Sequence, residues 1–210
     1  TFNLAIRVIL FIGIPASVGL ILLRRPLVEL FYERNAFTAE STCRTSTVIL
    51  FYAIGVWAYS ASHVIIRAFY SVQDTKTPVK VGVGMVGLNL VLNLTLIWFL
   101  REGGLALATA ISATIQIIIL FTLLHRKLNI TGHKHIFTST IKTLIATFFM
   151  YITCWIMLKI MPASDGKLMI KSIRLLIPLT TAILAFFTIS FLLKSEELKY
   201  LYASLRKKRK

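Results

Sequence analysis

Six long apolar runs alternate with short polar or charged stretches along the chain. They cover about Phe2–Leu23, Thr45–Ala68, Val79–Leu100, Gly103–Leu124, Thr138–Ile160 and Leu175–Leu193. Each is close to the ~20 residues that a helix needs to cross the ~30 Å hydrocarbon layer of a bilayer. The runs are continuously apolar and about twice the length of a barrel strand, which excludes a membrane β-barrel. The pattern predicts an all-α integral membrane protein with six transmembrane helices. Only the short stretch Arg101-Glu102, followed by Gly103, joins the third and fourth runs, so these two helices are expected to be antiparallel neighbours. Pro178 should kink the sixth helix near its outer end.

Composition agrees with the pattern. The 210 residues are 57% hydrophobic and 15% charged, against about 25% charged in soluble domains. Mean hydropathy is +0.78. The 24 Lys and Arg outnumber the 8 Asp and Glu, but they cluster at the ends of the apolar runs. That distribution fits the positive-inside bias and anionic headgroups, and no nucleic-acid partner is expected. With six spans both chain ends share one side, and the larger basic share places that side in the cytoplasm. In the last stretch, SEELKYLYASLRKKRK, residues Leu198, Leu201, Tyr202 and Leu205 fall on one helical face before a basic cluster at Arg206–Lys210. It reads as an interfacial helix on the inner leaflet or as a solvated, topology-setting tail. Between the first two runs, Leu27, Leu30 and Phe31 could lie on an interface. Cys43 and Cys154 share no metal-ligand spacing.

No nucleophile elbow, phosphate loop or His/Cys cluster is present, and no acid falls in mid-span. Transport or binding is therefore expected rather than catalysis. Polar groups within the spans carry the remaining information. Asn89 and Asn93 are four apart and share a helix face; their amides could ligate a cation or join helices by hydrogen bonds. Thr109 should lie near mid-depth of the fourth helix, able to face Asn93. Gly82, Gly84 and Gly87, with Ala106 and Ala110, offer small faces for close approach across the short hairpin. His63 and Arg67 lie one turn apart near the inner end of the second helix, where a water-filled cavity or a snorkelling end would accommodate them. Helices five and six are rich in Phe, Ile and Leu and dotted with threonines, which suits a lipid-facing surface or an apolar groove. The turn at FYSVQDTKTPVK offers Thr77 as an N-cap and Pro78 as the first helical residue. Asp74 either ties this turn together or meets a neighbouring base.

Three stretches carry a family resemblance. RAFYSVQDTKTPVKVGVGMVGLNLVLNLTLI resembles the hallmark region of the MurJ (MviN) lipid II flippases, with its aromatic pair, Gln-Asp-Thr-x-Thr-Pro-Val turn and Asn-x-x-x-Asn helix. IPASVGLILLRRPLVELFYERNAFTAEST is similar to the preceding helix and loop, and GGLALATAISATIQ to the following helix. Together these cover roughly residues 5 to 125. The resemblance implies helices nine to fourteen of a fourteen-helix, two-lobe flippase, with eight further helices upstream. Residues 1–125 would be the last four helices of the second lobe. Residues 126–137 would be a cytoplasmic loop, 138–193 two additional helices forming a groove for a polyprenyl tail, and 194–210 a basic amphipathic tail. It also implies movement of lipid II from inner to outer leaflet of the bacterial cytoplasmic membrane by alternating access, with no bond made or broken. Membrane lipids and cell-wall synthesis or division proteins are the further partners it suggests. Some members bind sodium in the second lobe; the matching positions are Asn89, Asn93, the Leu105 carbonyl and Thr109. Here the family's acid is replaced by Asn93. His63 and Arg67 are candidates for a substrate cavity. The signature turn with Asp74, Lys76, Thr77, Pro78 and Lys80 presents bases that would favour approach of an anionic headgroup. Alternatives are another polysaccharide-lipid flippase or multidrug exporter of the same superfamily, or a truncated, non-transporting membrane scaffold.

Overall fold

The computed structural model describes residues 2–33, 37–128, 133–161 and 168–200. Six helices follow in order: α1 (Phe2–Phe31), α2 (Ala39–Ser71), α3 (Lys76–Leu100), α4 (Glu102–Leu128), α5 (His133–Ile160) and α6 (Leu168–Leu192). All six are long and apolar enough to cross a membrane.

The helices overrun the apolar runs because polar residues at their ends find partners. α1 runs through Pro15 and continues eight residues past Leu23, through Pro26. Arg24, Arg25 and Glu29, expected in a loop, are helical; Glu29 is buried and accepts from Arg25 one turn back at 3.0 Å. In this extension Leu27 and Leu30 pack on a hydrophobic cluster, whereas Phe31 is exposed. α2 starts at Ala39 rather than Thr45, because the Thr38 hydroxyl accepts from the Ser41 N–H at 3.3 Å and caps the helix. α6 starts at Leu168, seven residues before the expected Leu175. Pro178 therefore lies well inside α6 rather than near its end. α4 and α5 likewise extend into the loop expected over 126–137.

Two hydrophobic clusters organise the bundle. The first joins Ile6 of α1 to α2 and α4 through Ala58, Ile65, Phe69, Ile117 and Leu124. The second joins Phe11 and Leu23 of α1 to α5 and α6 through Ala146, Met150, Leu175 and Phe186. α1 is thus shared. Small residues set the closest approaches: a Cβ on Gly55 of α2 would fall 2.9 Å from Ala110 Cα. Ala106 and Ala110 are buried, and Ala110 meets α2 rather than serving the α3–α4 hairpin as expected. The hairpin depends on Gly104, where a Cβ would overlap the Leu96 carbonyl, and on Arg101 in the left-handed region at φ 49°. Gly82, Gly84 and Gly87 have no neighbouring atom within 4 Å of a built Cβ, so they do not mediate packing among the described residues. α3 buries only Pro78.

The segment after α6 turns back onto the bundle. Lys194 is left-handed (φ 51°); its N–H bonds the Phe191 carbonyl at 3.0 Å and the Ser195 N–H bonds the Ser190 carbonyl at 3.1 Å. This is a Schellman turn made without glycine. Ser195 and Glu197 are buried and Leu198 packs on the second cluster. The beginning of the expected interfacial tail is therefore docked on the protein; Leu201, Tyr202, Leu205 and Arg206–Lys210 lie outside the described residues.

Candidate functional site

Two sizeable grooves among the described residues bear on function. The larger, of about 630 Å³, runs between α1, α5 and α6, and its walls include Pro15, Gly19, Leu23, Cys154, Ala182 and Phe186. Sequence reasoning assigned this surface to helices five and six alone; the first wall is α1, and no local signal in the sequence marks it as such. Helix periodicity builds the other walls. Met150 and Cys154 are four apart on α5, and Leu175, Leu179, Ala182 and Phe186 recur every three to four residues on α6, so each set shares one face; Thr143 and Thr147 continue the α5 stripe, buried beyond the groove.

The threonines of α5 and α6 do not make this groove polar. Thr143, Thr147, Thr153, Thr180, Thr181 and Thr188 each donate to a carbonyl of their own helix at 2.7–3.1 Å. With its proton so used, each side chain turns mainly a methyl group to its neighbours.

The second groove, of about 500 Å³, lies between α2, α3 and α4 and includes Tyr59, Asn89, Thr109, Ser112 and Gln116. Asn93 Nδ2 donates to Asn89 Oδ1 at 2.9 Å, and Asn89 Nδ2 donates to Ser112 Oγ at 3.4 Å. The Asn pair thus links α3 to α4 through Ser112, a partner the sequence did not point to. Thr109 does not bond Asn93; its hydroxyl donates to the Leu105 carbonyl at 2.7 Å. Two buried oxygens, Asn93 Oδ1 and the Tyr59 hydroxyl, have no hydrogen-bond partner among the described residues. All four positions of the expected sodium site offer neutral oxygen. No group of three His, Cys, Asp or Glu suited to a metal occurs among the described residues.

His63 and Arg67 project from the exposed side of α2 and line neither groove. The signature turn is organised by its acid. Gln73 is left-handed (φ 58°), and the Gln73 and Asp74 N–H groups close a second Schellman turn on Tyr70 and Phe69 at 3.0 Å each. Asp74 then accepts from the Thr77 N–H at 3.0 Å and the Thr77 hydroxyl at 2.8 Å. Thr77 is therefore not the N-cap: α3 begins at Lys76, and the Asp74 carboxylate supplies the acceptor that a cap would. Pro78 is the third helical residue, still within the first turn, where a missing N–H leaves no helix bond unmade. Lys127, in the last turn of α4, reaches Asp74 at 2.6 Å. Lys127 and then the Thr77 groups hold the Asp74 carboxyl down at about 2. Lys76 and Lys80 are exposed beside this turn.

Charged pairs missed in the sequence hold both ends of α1. At its start, Arg7 Nε donates to Glu197 Oε1 at 2.6 Å and Nη2 to Glu196 Oε2 at 2.9 Å. Ser139 of α5 donates to the same Glu197 oxygen at 2.6 Å. The Arg7 guanidinium holds the Glu196 carboxyl below its ordinary range. At the other end of α1, Glu29 accepts from Arg174 of α6 at 3.1 Å. Lys171 Nζ donates to the Glu33 carbonyl at 3.2 Å and lies 3.7 Å from its carboxylate. The contact between residues 7 and 197 places the start of α1 and the end of α6 at one end of the bundle.

Six spanning helices with an apolar and a polar groove between them define a multi-pass α-helical membrane protein. The family model described as lipid II flippase MurJ matches residues 1–176, and the chain belongs to that family. A probable lipid II flippase MurJ of Vibrio cholerae serotype O1 is 36% identical over 141 residues, 67% of this chain and 26% of that protein. The lipid II flippase MurJ of Thermosipho africanus is 33% identical over 153 residues, 72% of this chain and 31% of that protein. A solved structure of lipid II flippase MurJ in an inward closed conformation superposes with a TM-score of 0.72 at 26% identity, over 92% of this chain and 39% of that one. The chain thus spans between a quarter and two fifths of the length of these relatives.

Proposed function

We propose that this chain is the C-terminal part of a lipid II flippase, corresponding to helices nine to fourteen, and that the whole protein carries lipid II from the inner to the outer leaflet by alternating access. The observation that carries this reading is the long apolar groove of α1, α5 and α6 in a chain of the MurJ family. A headgroup bearing pyrophosphate, sugars and peptide cannot cross hydrocarbon unshielded, whereas its polyprenyl tail needs only an apolar track. The groove supplies such a track, because its walls are aliphatic and aromatic side chains with the thiol of Cys154.

In this reading α1–α4 belong to the second lobe and α5–α6 are the added pair; the two hydrophobic clusters support that division, with α1 common to both. Both chain ends face the cytoplasm of the bacterial inner membrane, which agrees with the excess of basic residues on that side. Lys76 and Lys80 draw the anionic headgroup toward the turn, and His63 and Arg67 face the cavity completed by upstream helices. The test is a lipid II flipping assay on the full-length protein carrying Gly19→Trp. No atom lies within 4 Å of a Cβ built on Gly19, so the indole enters the groove. Flipping should fall by about tenfold or more; flipping at the unsubstituted rate would sink the proposal.

Sodium as coupling ion is a second reading, favoured by the unpartnered Asn93 Oδ1. Asn93 and Asn89 oxygens, the Leu105 carbonyl and Thr109 would hold it, and the ion would bring positive charge to the α3–α4 seam. Flipping that is indifferent to both Asn93→Ala and sodium concentration would remove this reading.

A further inference from the structure

α1 and α6 run antiparallel along the apolar groove, and charge clasps them at both ends with opposite polarity. At one end α1 supplies the base, Arg7, and the segment after α6 the acids. At the other end α1 and the residues just after it supply the acids, Glu29 and Glu33, and α6 the bases, Lys171 and Arg174. Arg7 and Glu29 are about 22 residues apart, roughly 33 Å of helix, so the two clasps sit about one hydrocarbon thickness apart. The groove between them is apolar.

The two clasps differ in construction. Glu197 is 1% exposed and receives hydrogen bonds from both α1 and α5. A Schellman turn feeds it directly. The other clasp has a buried half, Glu29 with Arg25 and Arg174, and a looser half at Glu33. Glu33 is 36% exposed, its carboxylate is 3.7 Å from Lys171, and the buried Arg174 Nε has no hydrogen-bond partner among the described residues. Pro178 lies one turn beyond Arg174. Lacking an N–H, it cannot close the helix bond to the Arg174 carbonyl, so α6 is weakest where its clasped first turns begin.

We propose that residues 168–177 of α6 form a gate. They swing about Pro178 when the Glu29/Glu33 clasp releases, and this opens that end of the groove for an apolar chain to pass sideways between groove and bilayer, while the Arg7–Glu197 clasp holds the opposite end as the fixed point. The identity of that apolar chain rests on the reading given under Proposed function; the gate itself does not.

Cys154 is a native reporter. It is buried in the groove wall beside Leu23 and Leu175, on the side of the proposed gate. The experiment measures the rate at which N-ethylmaleimide alkylates Cys154 in the full-length protein in lipid vesicles, with other cysteines replaced. Glu29→Gln should raise the rate about tenfold, because a buried charge pair loses a partner and the open population grows. Glu197→Gln, at the fixed end, should raise it far less. Pro178→Ala should act the opposite way, restoring the helix bond to Arg174, slowing alkylation by about threefold or more. The opposite signs separate gating from loss of folding, which would accelerate alkylation in every variant. An unchanged or faster rate in Pro178→Ala, or equal acceleration by Glu29→Gln and Glu197→Gln, would overturn the gate. Lipid II added to the vesicles should protect Cys154; shifts in the variants without such protection would uphold the gate and overturn the substrate reading.

Discussion

The two grooves use overlapping residue types and come out with opposite character. Threonines stand near both: Thr109 lines the α2/α3/α4 groove, and Thr143 and Thr147 are buried on the α5 stripe that reaches the α1/α5/α6 groove at Met150 and Cys154. All three donate to their own helix, so threonine does not distinguish the grooves. The difference lies with amides and a phenol. Asn89 and Asn93 bond each other and then reach across to Ser112, and the Tyr59 hydroxyl is left without a partner among the described residues. An amide carries more donors and acceptors than a helix backbone can absorb, whereas a hydroxyl can be closed off one turn away. Within a bilayer, groove polarity follows the polar groups that local bonding cannot satisfy, not their number.

Several substitutions would break or sharpen this comparison. The largest effect is expected from Ala182→Asp, which places a carboxylate against the apolar groove. It should cost about 3 kcal/mol in a reversible unfolding measurement in bilayers, in line with charges placed at mid-membrane. Asn89→Leu should cost about 1 kcal/mol by the same measurement, because Asn93 and Ser112 lose their shared partner. Thr147→Val should change stability by ~0.5 kcal/mol or less, since the exchanged hydroxyl bonds only its own helix; a cost equal to that of Asn89→Leu would end the distinction drawn here. The smallest effect concerns neither groove but the turn that launches α3. The Asp74 carboxyl lies below its ordinary 3.8, at about 2. Its contribution is therefore fully present above pH 4, declines as the pH falls from there, and is lost as the pH passes through about 2. Carboxyl-resolved NMR titration should place the midpoint near the lower value, and Lys127→Met should move it upward.

Much of the architecture was legible from run length alone, because a bilayer demands long uninterrupted apolar helices and the six runs supply them. The helix ends were harder to read. The charges of Arg24, Arg25, Lys171 and Arg174 mark where a run stops, yet the helices pass through them. The reason is pairing at long range: Glu29 meets a partner 145 positions away. No local pattern carries that information. The Asn89/Asn93 pair was legible through its four-residue spacing, but its outlet at Ser112 was not, since any hydroxyl on α4 would have served as well in sequence terms. Thr77 misled because Ser and Thr so commonly cap helices; here Asp74, three positions earlier, offers the stronger, charged acceptor. A lone base in the first apolar run and two acids after the last were the available hints to the Arg7–Glu197 contact.

α1 is made before every neighbour described here, yet half of those partners are made last. Its second neighbour, α6, ends about 160 residues after α1 does, which at ~5–20 residues per second is on the order of ten to thirty seconds of synthesis. Through that interval the side of α1 bearing Phe11, Gly19 and Leu23 lacks its α6 partners, and an apolar face can wait in lipid without penalty. A charge in that stretch could not. Arg7 and Glu29 wait instead near the membrane surfaces, where water can solvate them until their partners arrive. The placement of charge along α1 thus accommodates the order in which its neighbours are born as well as the structure they finally form.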